Sequence, residues 1–173
     1  MNEFEKMLLE DPGNSLGRTI EVVDIVLSDP KRFDELYQCY FSDNEWVRLR
    51  VSNGVKRVGL ERLDLIVPYI DKFLGEISDI DQASTQWTLS KLYLMLEDEM
   101  TPAQKSKAIE LMKKRLSHND WIVLNNTMET LAMWAKKDED LKRWLLPQLK
   151  RLTKDGRNSV SKRAQKYHSM LES

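Results

Sequence analysis

The residues whose types and spacing best suit them for chemistry are basic. Lys72, then Lys113, Lys114 and Arg115, then Arg143, Lys150, Arg151 and Lys154 fall on the second helices of successive helical hairpins. Cations repeated on neighbouring helices can meet successive phosphates, giving binding that is independent of base sequence and weakened by salt. Trp121 and Trp144 would add faces on which bases stack. Against this, Lys113 to Arg115 cover most of a helical turn, so the three cannot all face one ligand. Long basic side chains beside apolar stripes also cover core with their stems.

The charge is unevenly placed. Residues 1–100 hold 11 Lys and Arg against 20 Asp and Glu, a net of −9. Residues 101–173 hold 16 against 8, a net of +8, so the overall −1 hides a strong asymmetry. Such a split would steer a polyanion to the C-terminal part or order head-to-tail self-association.

Enzymatic constellations are sparse. His118 and His168 are the two histidines, and no HExxH or paired-carboxylate motif accompanies them. His118 reads as a dipole partner near a helix C-terminus, and His168 as a packed core side chain. Glu97-Asp98-Glu99 and Asp138-Glu139-Asp140 lack EF-hand spacing and read as solvated turns. The six glycines form neither GxGxxG nor GxxxxGK[ST]. Cys39 is alone, which excludes a disulfide or thiolate cluster within this chain. The expectation is a non-catalytic chain with no cofactor and no metal. The longest apolar run, Leu63 to Ile70, is interrupted by Asp64, Pro68 and Tyr69, and the acidic N-terminus resembles no signal peptide. No membrane association and a cytoplasmic location are therefore expected.

The positioning elements follow from a repeat. Val47, Thr85, Val123 and Val160 stand at intervals of 38, 38 and 37 residues. Four positions on are Val51, Leu89, Thr127 and Ala164; eight on, Val55, Tyr93, Leu131 and His168; eleven on, Val58, Leu96, Trp134 and Leu171. Offsets of four, eight and eleven trace one helical face. The spacing predicts first helices at Leu16–Leu27, Glu45–Val58, Gln82–Glu97 and Asp120–Lys136. Second helices follow from Phe33 to Phe41, at Glu61–Ile77, Pro102–Ser117 and Leu141–Lys154, with a last helix at Ser159–Leu171. Asp11-Pro12-Gly13 should stop a short N-terminal helix, Asn14 or Ser15 should cap the next, and Gly59 should end the Glu45 helix. Pro68 and Pro147 recur 79 residues apart inside second helices, where a bend is expected. Trp46, Trp87 and Trp121 near first-helix starts suggest inter-repeat packing, or else an aromatic row for a partner. The methionines, concentrated C-terminally, read as core filling.

Trp46-Val47-Arg48 with Val51, and Leu145-Leu146-Pro147-Gln148-Leu149, resemble HEAT repeats, helical hairpins of about 40 residues. That resemblance implies an all-α, right-handed α-α superhelix (solenoid) of about four HEAT-like hairpins plus a C-terminal capping helix. It implies one domain over 1–173: an N-terminal helix or cap in 1–13, stacked hairpins in 14–156 and the capping helix in 157–173. In such stacks the second helices usually line the concave face, which here would carry the basic residues. The family consists mostly of binding scaffolds, some of which bind nucleic acid. It therefore implies a protein-interaction scaffold or adaptor with an unidentified protein partner, and a phosphate-backbone binding module as the alternative. Asp120-Trp121-Ile122-Val123-Leu124-Asn125 is also similar to the pattern of HEAT-like alkylpurine DNA glycosylases, which place an Asp one turn after a Trp. Asn125 stands where that acid would be, and an amide cannot act as the carboxylate. The resemblance therefore implies no base excision.

Overall fold

A computed structural model describes residues 1–10 and 15–173, so the stop expected at Asp11-Pro12-Gly13 and the cap at Asn14 lie outside the described residues. Among the described residues the chain is helical with short 3-10 turns and has no strand. It divides into two compact units, 1–100 and 101–173, and the division coincides with the change in net charge.

In the first unit α1 (Glu3–Leu9) starts where the Asn2 side chain accepts from the Glu5 amide at 2.7 Å. The same Asn2 donates to the Glu35 carbonyl at 2.9 Å, which ties α1 to α3 (Phe33–Gln38). Between them runs α2 (Thr19–Ser28), burying Thr19, Val22, Val23 and Val26. Pro30 opens the 3-10 turn that follows α2. Cys39, in the 3-10 turn after α3, is buried, and burial pushes its thiol up to about 12.

The central element is α4 (Glu45–Glu61), which packs against α1, α2 and α3 and against the later helices at Leu63–Ile66 and Ala83–Met95. Asn44 caps it, its Oδ1 accepting from the amides of Trp46 and Val47. Val47, Val51, Val55 and Val58 are fully buried, so this column is core. The stop expected at Gly59 is not there. The helix runs on to Glu61, and Gly59 is buried where a Cβ would lie 2.6 Å from Ile66 and 2.9 Å from Met95. The glycine is a contact point between elements, not a cap.

The following helix is not continuous to Ile77 as expected. It divides into α5 (Leu63–Ile66), a 3-10 turn at Val67–Tyr69 and α6 (Ile70–Leu74). Pro68 lacks the amide that would continue the ladder, so the break falls on it. The last helix of this unit, α7 (Ala83–Met95), packs on α4 with Thr85, Leu89 and Tyr93 buried; the Tyr93 hydroxyl donates to the Phe73 carbonyl at 2.8 Å.

The second unit holds α8 (Pro102–Arg115), α9 (Trp121–Ala135), α10 (Glu139–Leu152) and α11 (Asn158–Glu172). Thr101 and Gln104 form a capping box on α8, and Asp120 and Asp138 cap α9 and α10. α9 packs against α8, α10 and α11, and α10 packs against α11. The columns Val123, Thr127, Leu131, Trp134 and Val160, Ala164, Leu171 are buried. His168 departs from its column: it is only partly buried and lies 3.2 Å from the Glu172 carboxylate. Pro147, unlike Pro68, sits inside an uninterrupted α10. His118 follows the C-terminal end of α8, its amide donating to the Arg115 carbonyl at 3.0 Å. Its Nδ1 accepts from the Asp120 amide at 2.9 Å and so shapes the turn before α9.

Among the described residues no helix is long and apolar enough to cross a membrane. Nor do three His, Cys, Asp or Glu side chains converge as metal ligands would.

Candidate binding surfaces

α10 is strongly two-sided. Leu141, Leu145, Leu149 and Leu152 are buried, while Arg143 and Lys150, two turns apart, lie along the opposite, exposed face, and Lys154 is exposed in the turn that follows the helix. Arg143 and Lys150 are about 10 Å apart along the helix. Arg143 is held by Asp140 one turn earlier. Arg151 is exposed beside this stripe and donates to the Leu116 carbonyl at 3.3 Å, closing the end of α8.

On α8 the three adjacent cations point different ways, as their spacing requires. Arg115 is buried with Ala108 and Met112 on the inward stripe, Lys114 is exposed, and Lys113 is half-buried. The Lys113 ammonium lies 4.9 Å from the centre of the Trp144 ring and 2.9 Å from the Glu110 carboxylate. Trp144 is thus partly covered by a cation of its own unit, whereas Trp121 is 49% exposed. Trp46 is equally open, so packing covers only about half of each of these two residues; Trp87 is half-buried. Among the methionines Met112 and Met128 are core, while Met133 is largely open to solvent.

The turn joining α10 to α11 is tied to the turn joining α8 to α9. Arg157 donates to the Asn119 carbonyl at 2.6 Å, and its guanidinium and amide both donate to Asp155 at 2.8–2.9 Å. The Arg157 hydrogen bonds hold the Asp155 carboxyl down at about 2. Trp121 therefore stands at the same end of the unit as Arg151 and Lys154. Asn125, one turn into α9, is buried, with its amide nitrogen 3.4 Å from the Ser159 hydroxyl.

Lys72 belongs to the first unit and to a different setting. Its ammonium sits 4.8 Å from the Tyr37 ring centre and 5.5 Å from that of Tyr69. The two phenols donate to Glu76 and Asp34 respectively. Burial, then the hydrogen bond to Asp34, pushes the Tyr69 hydroxyl up to about 12. A lysine seated on two rings has a structural role there.

The basic second-helix pattern does not point to the outer face of α4. Here Trp46 and Leu49 line a groove of about 160 Å³ with Glu45 and Gln82. Four turns further on, Leu60, 67% exposed, lines a second groove of about 290 Å³ with Ile20 and Leu27 of α2, rimmed by Asp24, Arg57 and Glu61. Lys56 and Arg57 are half-buried, and Arg57 donates to the Asn53 side chain at 2.6 Å. Burial, and then repulsion from Arg57 and Lys91, lowers the Lys56 ammonium below the ordinary lysine range. The reading of Gly59 as a stop concealed this surface, because it removed Leu60 from the helix that carries Trp46.

Compared with protein-family models, with characterised proteins and with solved structures, the chain finds no match.

Proposed function

We propose that this chain is a non-catalytic interaction module, a scaffold or adaptor built as a right-handed superhelix of HEAT-like hairpins with α11 as its cap. The observation supporting this reading is the fate of the repeated positions. Val47, Thr85, Val123 and Val160, with most of their partners four, eight and eleven residues on, are core. What the repeats share is packing, while the faces on which they differ are open to a partner. The test is affinity purification of the intact chain from its native host. The expected result is a reproducible protein partner in defined stoichiometry; repeated recovery of the chain alone counts against the reading.

A second reading, binding to a nucleic-acid phosphate backbone, is favoured by Arg143 and Lys150 on one exposed face of α10, with exposed Lys154 in the turn after it, in a unit carrying a net charge of +8. Filter binding to duplex and single-stranded nucleic acid at low salt tests it, and absence of retention ends it.

A further inference from the structure

We propose that the ring cluster of Tyr37 and Tyr69 is a seat for a quaternary ammonium group, filled in the unliganded chain by the chain's own Lys72. This goes beyond the adaptor reading and does not rest on it. Tyr37 lies on α3 and Tyr69 in the 3-10 turn between α5 and α6, with ring centres 4.8 Å apart and planes inclined at 49°. Phe33 packs edge-on against Tyr69 at 4.8 Å and Phe41 against Tyr37 at 5.8 Å, which fixes both rings. The Lys72 ammonium stands over both faces, 4.8 and 5.5 Å from the ring centres, within the range over which a ring attracts a cation.

The surroundings tune these rings for positive charge. Tyr37 donates to the Glu76 carboxylate and Tyr69 to that of Asp34. A phenol that donates to an anion carries more electron density on its ring, which deepens the negative potential of its face. Burial, followed by the bond to Glu76, raises the Tyr37 hydroxyl above the ordinary tyrosine range, and Tyr69 is raised likewise, so both stay neutral phenols. A cation is thus held by two ring faces, with carboxylates one bond further out.

Lys72 is a poor match for such a seat. Tyr37 has no exposed surface, while Lys72, whose ammonium lies against it, is itself exposed, as are Glu76 and Phe41. A primary ammonium is strongly hydrated and has three N–H groups that ring faces satisfy only weakly. A quaternary ammonium has no N–H to satisfy and carries its charge on methyl groups that suit aromatic faces. Such a group would displace Lys72, which swings into solvent on its flexible stem. The ligand class is a trimethylammonium cation, carried by a trimethylated lysine of a partner chain or by a small molecule such as choline.

The probe is a short peptide bearing one trimethyllysine, titrated into the intact chain labelled with carbon-13 in its tyrosine rings and followed by the NMR signals of Tyr37 and Tyr69. A saturable shift is expected, with a weaker one for the unmethylated peptide and none for a peptide carrying a neutral tert-butyl isostere. Lys72→Ala removes the internal occupant and should tighten binding by about three- to sixfold, the competition expected from a lysine on an exposed aromatic seat. Lys72 is exposed, so this variant should fold, and circular dichroism checks it. Tyr69→Leu should abolish the Tyr37 shift. A parallel titration with choline separates the sources: tighter binding of the peptide assigns the group to a partner chain, tighter binding of choline to a free small molecule.

Absence of a saturable shift in both the wild type and Lys72→Ala overturns the proposal. Equal binding of the tert-butyl isostere overturns it too, because the seat would then be apolar and indifferent to charge. So does a Lys72→Ala variant that binds no tighter than the wild type, which would make the lysine a packing element alone.

Discussion

The Arg50 guanidinium, on α4, donates to the main-chain carbonyl of Leu8 at 2.6 Å and so closes the C-terminal end of α1. It reaches the carbonyls of Glu10 at 3.3 Å and Ser15 at 3.2 Å as well, although Arg50 is only 2% exposed. A cation is tolerated in this position because the terminal carbonyls of a helix concentrate negative charge. Arg50→Met keeps the volume but leaves those carbonyls buried with fewer donors. The expected loss is about 2–4 kcal/mol, read from urea unfolding. Gly17 packs directly on the guanidinium, at a φ of +52° and with a Cβ position 2.9 Å from Arg50 Cζ. Gly17→Ala should therefore also destabilise, and its effect combined with Arg50→Met should be less than additive, because both act on one contact.

Two glycines of α4 should respond to alanine with opposite signs. At Gly54 a Cβ would meet Thr19 at 3.5 Å and Leu36 at 3.7 Å, ordinary contact distances. Gly54→Ala should stabilise the chain by roughly 0.5–1 kcal/mol through backbone entropy alone. At Gly59 the Cβ would lie 2.6 Å from Ile66 Cδ1, and overpacking of this kind costs about 1–3 kcal/mol, more than the helix propensity returns. Gly59→Ala should lower the melting temperature by a few degrees. Adding Ile66→Val, which removes the opposing methyl group, should restore part of the loss.

These positions mark how far the fold was legible in the sequence. The buried columns at Val47, Val51, Val55 and Val58 and their later counterparts could be read directly, because burial of one helical face leaves a periodic trace in residue type. Asn44, Thr101 and Asp120 cap their helices by a similarly local means, their side chains acting on amides two or three residues away. Gly59 and Arg50 could not, since what fixes each is distant in the chain. Ile66 and Met95 define the space around Gly59, and carbonyls 35 to 42 residues earlier define the partners of Arg50. His168 sits in a core column, but it ends up at the margin beside Glu172. Of the basic residues, the divergence of Lys113, Lys114 and Arg115 followed from spacing, whereas the seating of Lys72 on Tyr37 and Tyr69 and of Lys113 on Trp144 required knowing which elements pack together.

Asp155 gives the second unit an acid-sensitive fastening. Its carboxyl is lowered from the ordinary 3.8 to about 2, first by the side-chain hydrogen bonds from Arg157 and then by the Arg157 amide. A carboxyl depressed in the folded state contributes stability that is present above its unfolded value. That contribution is lost as the pH falls through the folded value. The stabilisation is therefore expected to be intact above about pH 4 and largely gone near pH 2. Asp155→Asn should cost about 1 kcal/mol at neutral pH, an amount suited to charge-assisted bonds at a partly solvated site. Urea midpoints of wild type and variant, measured from pH 7 downward, should converge across that window.

The α10 stripe should betray itself through salt. If Arg143, Lys150, Lys154 and one flanking cation each meet a phosphate, log K against log salt should have a slope of about −3. Raising salt from about 50 to 200 mM should then weaken binding by some fiftyfold. Lys150→Glu with Lys154→Glu removes two of those contacts and should flatten the slope by about 1.5–2. Trp121→Ala distinguishes the nucleic acid bound. An exposed indole at the same end of the unit as Arg151 and Lys154 can stack on an unpaired base but not on a duplex interior. Loss of the ring should therefore weaken single-strand binding by about tenfold and leave duplex binding nearly unchanged. Leu60→Asp, on the other unit, should alter neither curve. If its effect equals that of the α10 variants, the basic stripe is not where the nucleic acid binds.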